Sequence, residues 1–196
     1  AFVRENPIYL PLLLLGTALI GLVAGVFLKY AKECRGGGIP TAVATIRGLL
    51  PLRWIQGLFG LFFSSMLTYF AGVPLGNEGP SVQMGTAAGK GMSSAFGKKN
   101  RAWERYNMTG GAAAGFAIAT GSPLSGIVFT LEELHRRFSP PVFIMAAVSV
   151  ISGTVTSDIL SGIFGVDATF FDLAIDKVLP LRFIWVAVLI GIVCGL

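Results

Sequence analysis

Long uncharged apolar runs, broken at intervals by glycine and proline, constrain this chain more than any other feature. Ile8 to Leu28 carries no charge and is long enough to cross about 30 Å of hydrocarbon. Trp54 to Asn77 is a second such run, Tyr106 to Leu131 a third and Phe138 to Ser157 a fourth, and Phe183 to Leu196 begins a fifth. Between them lie shorter pieces, Ile39 to Ile46 and Gly79 to Gly89. Only 13% of the 196 residues are charged while 54% are hydrophobic. A soluble domain carries about twice that charged fraction. The 26 glycines would weaken soluble helices, but they let membrane helices approach closely. The chain therefore reads as an integral, multi-pass, all-α membrane protein rather than a soluble domain with a large core.

The interruptions are more informative than the runs. They fall at Gly36-Gly37-Gly38-Ile39-Pro40, at Gly76-Asn77-Glu78-Gly79-Pro80 and at Gly121-Ser122-Pro123. Irregular backbone at membrane depth is tolerated only where it lines a cavity or is buried in protein. Each break precedes a helix-compatible stretch with proline near its first turn, where the missing N–H costs nothing. All three are expected to be helix starts buried within the bilayer region. The expected segments are spanning helices at 8–28, 54–75 and 139–164, a re-entrant segment at 36–50 and a pore helix at 79–96. A broken helical hairpin is expected at 103–121 and 123–137, and a truncated helix at 180–196.

Charge sets the orientation. Lys29, Lys32, Arg35, Arg47 and Arg53 flank the first break, and Lys90, Lys98, Lys99, Arg101 and Arg105 follow the second. Arg136 and Arg137 follow the third. These regions are expected to be cytoplasmic. Asp158, Asp167, Asp172 and Asp176 lie in a stretch without basic residues, which is expected to face outward. The pairs Gly21/Gly25, Gly85/Gly89, Gly111/Gly115 and Gly191/Gly195 fit close helix packing. Cys34 and Cys194 have no metal-ligand spacing, and Cys34, among Lys32, Glu33 and Arg35, is expected at a membrane edge. The first apolar stretch is too long for a signal peptide and lacks its cleavage site. The chain stops inside an apolar run, which suggests a piece of a longer protein.

Glu78 stands out on physical grounds. An isolated carboxylate between charge-free flanks is costly, and the helix start beside it favours negative charge. The same amides could hold that carboxylate or a small anion, but not both at once. Protonation of Glu78 would release the amides to the anion, coupling anion to proton. A helix-capping glutamate at the interface fits equally well, and the residues alone leave both readings open. The glycines at 36–38 suit a backbone nest for anions, or simply a flexible turn. Glu132 and Glu133 end an apolar limb ahead of His135, Arg136 and Arg137; the plain reading is a charged helix end. A Glu-x-x-His di-iron site would need a second copy, and His135 is the only histidine. Asn107-Met108-Thr109 forms a glycosylation sequon on the side expected to be cytoplasmic, where it would be silent. The sequence has no nucleophile–base pair, P-loop or dinucleotide fingerprint, so no enzyme activity is expected.

In order and in residues, the three breaks resemble the CLC family of chloride channels and chloride/proton antiporters. Gly36-Gly37-Gly38-Ile39-Pro40 looks like that family's GSGIP motif, and Gly76-Asn77-Glu78-Gly79-Pro80 like GREGP. Gly121-Ser122-Pro123-Leu124-Ser125-Gly126, running on to Glu132-Glu133-Leu134, resembles NAPLAG…EE. The resemblance implies an inverted-repeat bundle of tilted, broken and re-entrant helices, of which this chain is the first half plus the start of the second. It also implies a homodimer with one pore per subunit, in a plasma or inner membrane. By position, Glu78 would be the external gate and Glu133 the internal proton-relay residue, while the backbones of residues 36–40 and 76–80 would face the anion. The expected partners are chloride or another small anion, protons, lipid and a second subunit, with no nucleic acid and no cofactor. Two positions depart from the pattern: the pore serine is Gly37, and the arginine of GREGP is Asn77. The implied activity is anion transport coupled to proton antiport. A passive channel of the same fold and a non-transporting scaffold or sensor are the alternatives.

Overall fold

A computed structural model of the chain describes residues 10–31, 34, 36–72, 76–96, 100–165, 185, 186, 189 and 193. Every element among them is helical. In chain order these are α1 Leu10–Tyr30, α2 Ile39–Ile46, α3 Trp54–Phe70, α4 Glu78–Ala95, α5 Arg101–Thr120, α6 Pro123–Phe129 and α7 Pro140–Phe164. Helix α6 runs on into a π-helical segment, Thr130–His135.

Local chemistry sets the boundaries. Proline stands in the first two positions of α2, α6 and α7, where no intrahelical N–H is required. The Asn100 side chain accepts a 2.9 Å hydrogen bond from the Ala102 amide and caps α5. Gly121 and Gly165 close α5 and α7 in the left-handed region. The segment expected over 36–50 is helical only at Ile39–Ile46, and the helix expected to start at residue 79 begins one residue earlier, at Glu78. The segment expected at 180–196 lies outside the described residues apart from positions 185, 186, 189 and 193.

The centre of the fold is the crossing of α4 with α5. A methyl group on Gly85 would strike the Gly111 carbonyl, one on Gly89 the Asn107 carbonyl, and one on Gly115 the Ser81 carbonyl. Backbone thus meets backbone, which only glycine allows. Helix α5 packs against α7 on its other side, where Gly110 faces Ser149 and Gly153 faces Ala114. Ala42, Ile46, Val82, Met108, Ala112, Phe129 and Leu134 form the main buried cluster, and Phe116 stacks on Phe129 with ring centroids 4.3 Å apart. The buried hydroxyls of Thr86, Thr109 and Thr130 each donate to the carbonyl four residues back. No hydroxyl proton among these three is left unpaired in the core.

One packing expectation is corrected. Gly21 and Gly25 have no atoms within 4 Å of a built methyl among the described residues; their spacing leaves a smooth strip on α1 with no neighbour against it. Cys34 is buried, its Sγ filling the space left by the missing side chain of Gly60. Gly191, Gly195 and Cys194 lie outside the described residues.

Among the described residues, one helix, Pro140–Phe164, is long and apolar enough by itself to cross a membrane. Its buried stripe is Val142, Ala146 and Val150, whereas Ile144, Val148, Ile151, Val155, Ile159 and Ile163 are exposed. The remaining helices are shorter, or rich in glycine and alanine that serve the packing just described.

Candidate anion site

The first two breaks come together in space. Gly38 precedes α2 with φ +69°, and a methyl group built there would lie 2.6 Å from the Cα of Gly79. Gly79 in turn lies close to the Gly37 carbonyl. The N-termini of α2 and α4 therefore converge, each with first-turn amides that no earlier helical carbonyl satisfies. Their dipoles add at the point of convergence and favour negative charge. Pro40 supplies no amide, so α2 offers those around Ile39 and Thr41. In α4, the Ser81 amide is already bonded to the Asn77 carbonyl at 3.1 Å.

Beside the convergence lies a cavity of about 760 Å³. Gly36, Gly37, Gly38 and Ile39 line it from one break, and Gly76, Asn77, Gly79 and Pro80 from the other. Pro40 and Glu78 are not among its lining residues. Gly38 is enclosed by protein, Ile39, Asn77, Gly79, Pro80 and Ser122 are half-buried, and Gly36, Gly37, Pro40, Gly76, Glu78, Gly121 and Pro123 are exposed. Asn77 ties the second break down, its Nδ2 donating to the Ala119 carbonyl near the end of α5 at 3.4 Å.

The cavity also has a wall that the motifs do not announce. Ser64, Ser65, Thr68 and Tyr69 of α3 and Gln83 of α4 line it. The signal is present in the sequence: beyond Gln56 in its first turn, these are the polar positions of α3, spaced at i, i+1, i+4 and i+5 on one face. The Thr68 hydroxyl donates to the Ser64 carbonyl at 2.9 Å. Gln83 is 3% exposed.

Glu78 is the first residue of α4 and its side chain is exposed. Glu133 lies in the π-helical segment, also exposed, between Glu132 and the buried Leu134. Neighbours of the two carboxylates meet α5 at different levels. Asn77, beside Glu78, bonds at Ala119, and His135, two residues from Glu133, contacts Thr109 Oγ1 at 3.0 Å. Helix rise between Thr109 and Ala119 is about 15 Å. A π-helical turn widens the backbone and re-aims the side chains that follow it; nothing in Thr130-Leu131-Glu132-Glu133-Leu134-His135 marks it in advance.

His135 is half-buried at the charged end of this limb, outside the apolar spans. Burial lowers its pKa below the ordinary 6.5, and the guanidinium groups of Arg105, Arg137 and Arg47 lower it further. In the sequon, Asn107 is half-buried with its Nδ2 donating to Ser93 Oγ at 2.8 Å, and Thr109 is fully buried. Among the described residues, no group of three or more His, Cys, Asp or Glu side chains is placed to hold a metal.

The profile of the voltage gated chloride channel family matches residues 13–196. The chain belongs to this family, the CLC family. Two relatives, H(+)/Cl(-) exchange transporters ClcA of Salmonella paratyphi B and Salmonella newport, are each 33% identical over 187 residues, or 94% of this chain. The crystal structure of a slow cyanobacterial Cl-/H+ antiporter superposes with a TM-score of 0.70 at 33% identity over 91% of the chain. This CLC chain spans 39% of the length of the two exchangers and 43% of the cyanobacterial antiporter. CLC membership makes it an integral membrane protein with the helical CLC fold, and its relatives bear the names of transporters rather than enzymes.

Proposed function

We propose that this chain forms the anion-handling half of a chloride/proton antiporter. The observation that carries the reading is the meeting of Gly38 with Gly79, which brings two helix N-termini to one point beside a cavity. An anion there is held by backbone N–H groups and two helix dipoles rather than by a fixed cation. Such a site binds without trapping, as transport requires. The exchanger names of the relatives support chloride and protons as the ions moved.

Glu78 acts as the external gate. It is exposed and stands in the first turn of α4, so its ionised carboxylate can swing to the amides that would otherwise hold the anion. Protonation from outside removes the charge and frees the amides to an anion arriving from the cytoplasmic side, so the anion moves outward as the proton moves inward. Glu133 exchanges that proton with the cytoplasmic side. With Gly37 in place of serine, the central anion relies on amides rather than a side-chain hydroxyl. No cofactor is needed. The exposed aliphatic face of α7 suits lipid or the second subunit of a homodimer in a plasma or inner membrane.

The test is to reconstitute the complete protein in liposomes with Glu78→Gln and, separately, Glu133→Gln. Each variant should still pass chloride and should no longer move protons with it. Proton movement that survives both substitutions contradicts the assignment.

A further inference from the structure

Arg47 ends α2, Arg105 lies in the second turn of α5, and Arg137 follows the π-helical segment. All three bear on one half-buried side chain, His135. Apolar packing brings them there. Ile46, Met108 and Leu134 belong to one buried cluster, and each stands within three residues of a member of the basic group. His135 is fixed as well. Its Nε2 lies 3.0 Å from Thr109 Oγ1, and the Thr109 hydroxyl proton already goes to the Arg105 carbonyl at 2.8 Å. The histidine is therefore the donor through Nε2–H, and Nδ1 is left facing outward from that bond. Arg136, between His135 and Arg137, has φ 54° and is the only described non-glycine residue with positive φ.

Cytoplasmic arginines are ordinary in a membrane protein. The unusual point is their lack of counter-charge. None of Arg47, Arg105, Arg136 and Arg137 has a carboxylate within ion-pair distance among the described residues, although Glu132 and Glu133 lie on the adjoining turn. The described ion pair joins Lys90 to Glu104 at 3.1 Å instead. All four guanidinium groups are exposed. Several like charges held together by packing repel one another, and a multivalent anion relieves that repulsion more than chloride does. Guanidinium forks match phosphate oxygens two at a time.

We propose that Arg47, Arg105 and Arg137, gathered around His135, form a cytoplasmic binding site for a phosphate-type dianion, supplied by a phosphomonoester lipid headgroup or by a soluble phosphate. The site lies toward the opposite end of α5 from Asn77, and none of its residues lines the cavity beside Gly38 and Gly79. It needs the cytoplasmic orientation of this end but not proton coupling, so it can fail while the antiport reading stands, and the reverse.

The experiment follows thermal unfolding of the purified complete protein in detergent, with chloride in excess throughout. Inorganic pyrophosphate is titrated in one arm. Phosphatidic acid replaces phosphatidylcholine in mixed micelles in the other. Saturable stabilisation of a few degrees is expected at about a hundredfold excess over Kd. It should weaken about tenfold or more in apparent affinity in Arg105→Gln/Arg137→Gln and in Arg47→Gln. It should persist in Arg53→Gln, a basic residue hydrogen-bonded to Gln56 instead. Arg47→Gln is read separately because Arg47 is exposed at a helix end, so the test survives if the double variant fails to fold. A response to phosphatidic acid alone identifies the headgroup as ligand; a response to pyrophosphate alone identifies the soluble anion. No response to either in the unmodified protein, or equal loss in Arg53→Gln, overturns the proposal.

Discussion

Gly38 and Gly79 touch backbone to backbone: a methyl group on Gly38 would lie 2.6 Å from the Gly79 Cα and 2.9 Å from its carbonyl oxygen. These residues are far apart in sequence, yet their contact fixes how two helix N-termini share one space.

Gly38→Ala should therefore be among the most damaging single substitutions in the chain. It forces a left-handed φ of +69° on alanine, which costs about 1–2 kcal/mol, and adds a clash with backbone that cannot move aside. Gly48→Ala is the control. It has φ +79° and nothing within 4 Å, so it should lose about 1 kcal/mol. Thermal unfolding should rank the two, and chloride flux should fall steeply only for Gly38→Ala.

Gly37→Ser should be accepted. A built methyl meets only the Pro40 ring, at 3.3 and 3.4 Å, and a small ring shift relieves that contact. The new hydroxyl can donate to an anion at the cavity. A net hydrogen bond of about 0.5–1.5 kcal/mol predicts chloride binding a few-fold to about tenfold tighter, measurable by calorimetry.

Gly85→Ala should destabilise by about 1–3 kcal/mol, because its methyl group would meet the Gly111 carbonyl across the α4–α5 crossing. Gly21→Ala has nothing within 4 Å and should be neutral or stabilising by up to about 1 kcal/mol. Chemical denaturation of the two variants distinguishes a packed glycine from one that only has the spacing.

Stability should fall in mild acid because of His135. Burial, then Arg105, Arg137 and Arg47, hold its folded pKa below 6.5. Above pH 6.5 the side chain is neutral in both folded and unfolded chains and contributes no pH dependence. Below that value the unfolded chain binds a proton that the folded chain resists, so stability drops until the folded pKa is reached. His135→Gln keeps a donor for Thr109 and should flatten this part of the unfolding profile between pH 7 and 5.

The helix starts and their prolines could be read from the sequence because they depend on neighbours. Pro40 and Pro123 fix φ locally, and Gly121 supplies the left-handed cap that ends α5. The contact between Gly38 and Gly79 is long-range, and no spacing encodes it. The α3 hydroxyls of Ser64, Ser65 and Thr68 were visible as polar positions on an apolar helix, but which face they served depended on packing. Gly21 and Gly85 show why a glycine spacing is an incomplete signal: the same pattern is a tight crossing in one helix and an open strip in the other. Cys34 took its place from Gly60, a partner that its charged sequence neighbours do not reveal.

The central claim is that the convergence at Gly38 and Gly79, gated by Glu78, exchanges an anion for a proton. The direct measurement is external pH around liposomes holding the complete protein, with an outward chloride gradient and no initial pH difference. Exchange predicts that chloride leaving the liposomes drives protons inward, so the medium turns alkaline, and that the signal vanishes in Glu78→Gln. Chloride efflux from the unmodified protein with no change in pH, once the membrane potential is shunted, would contradict it.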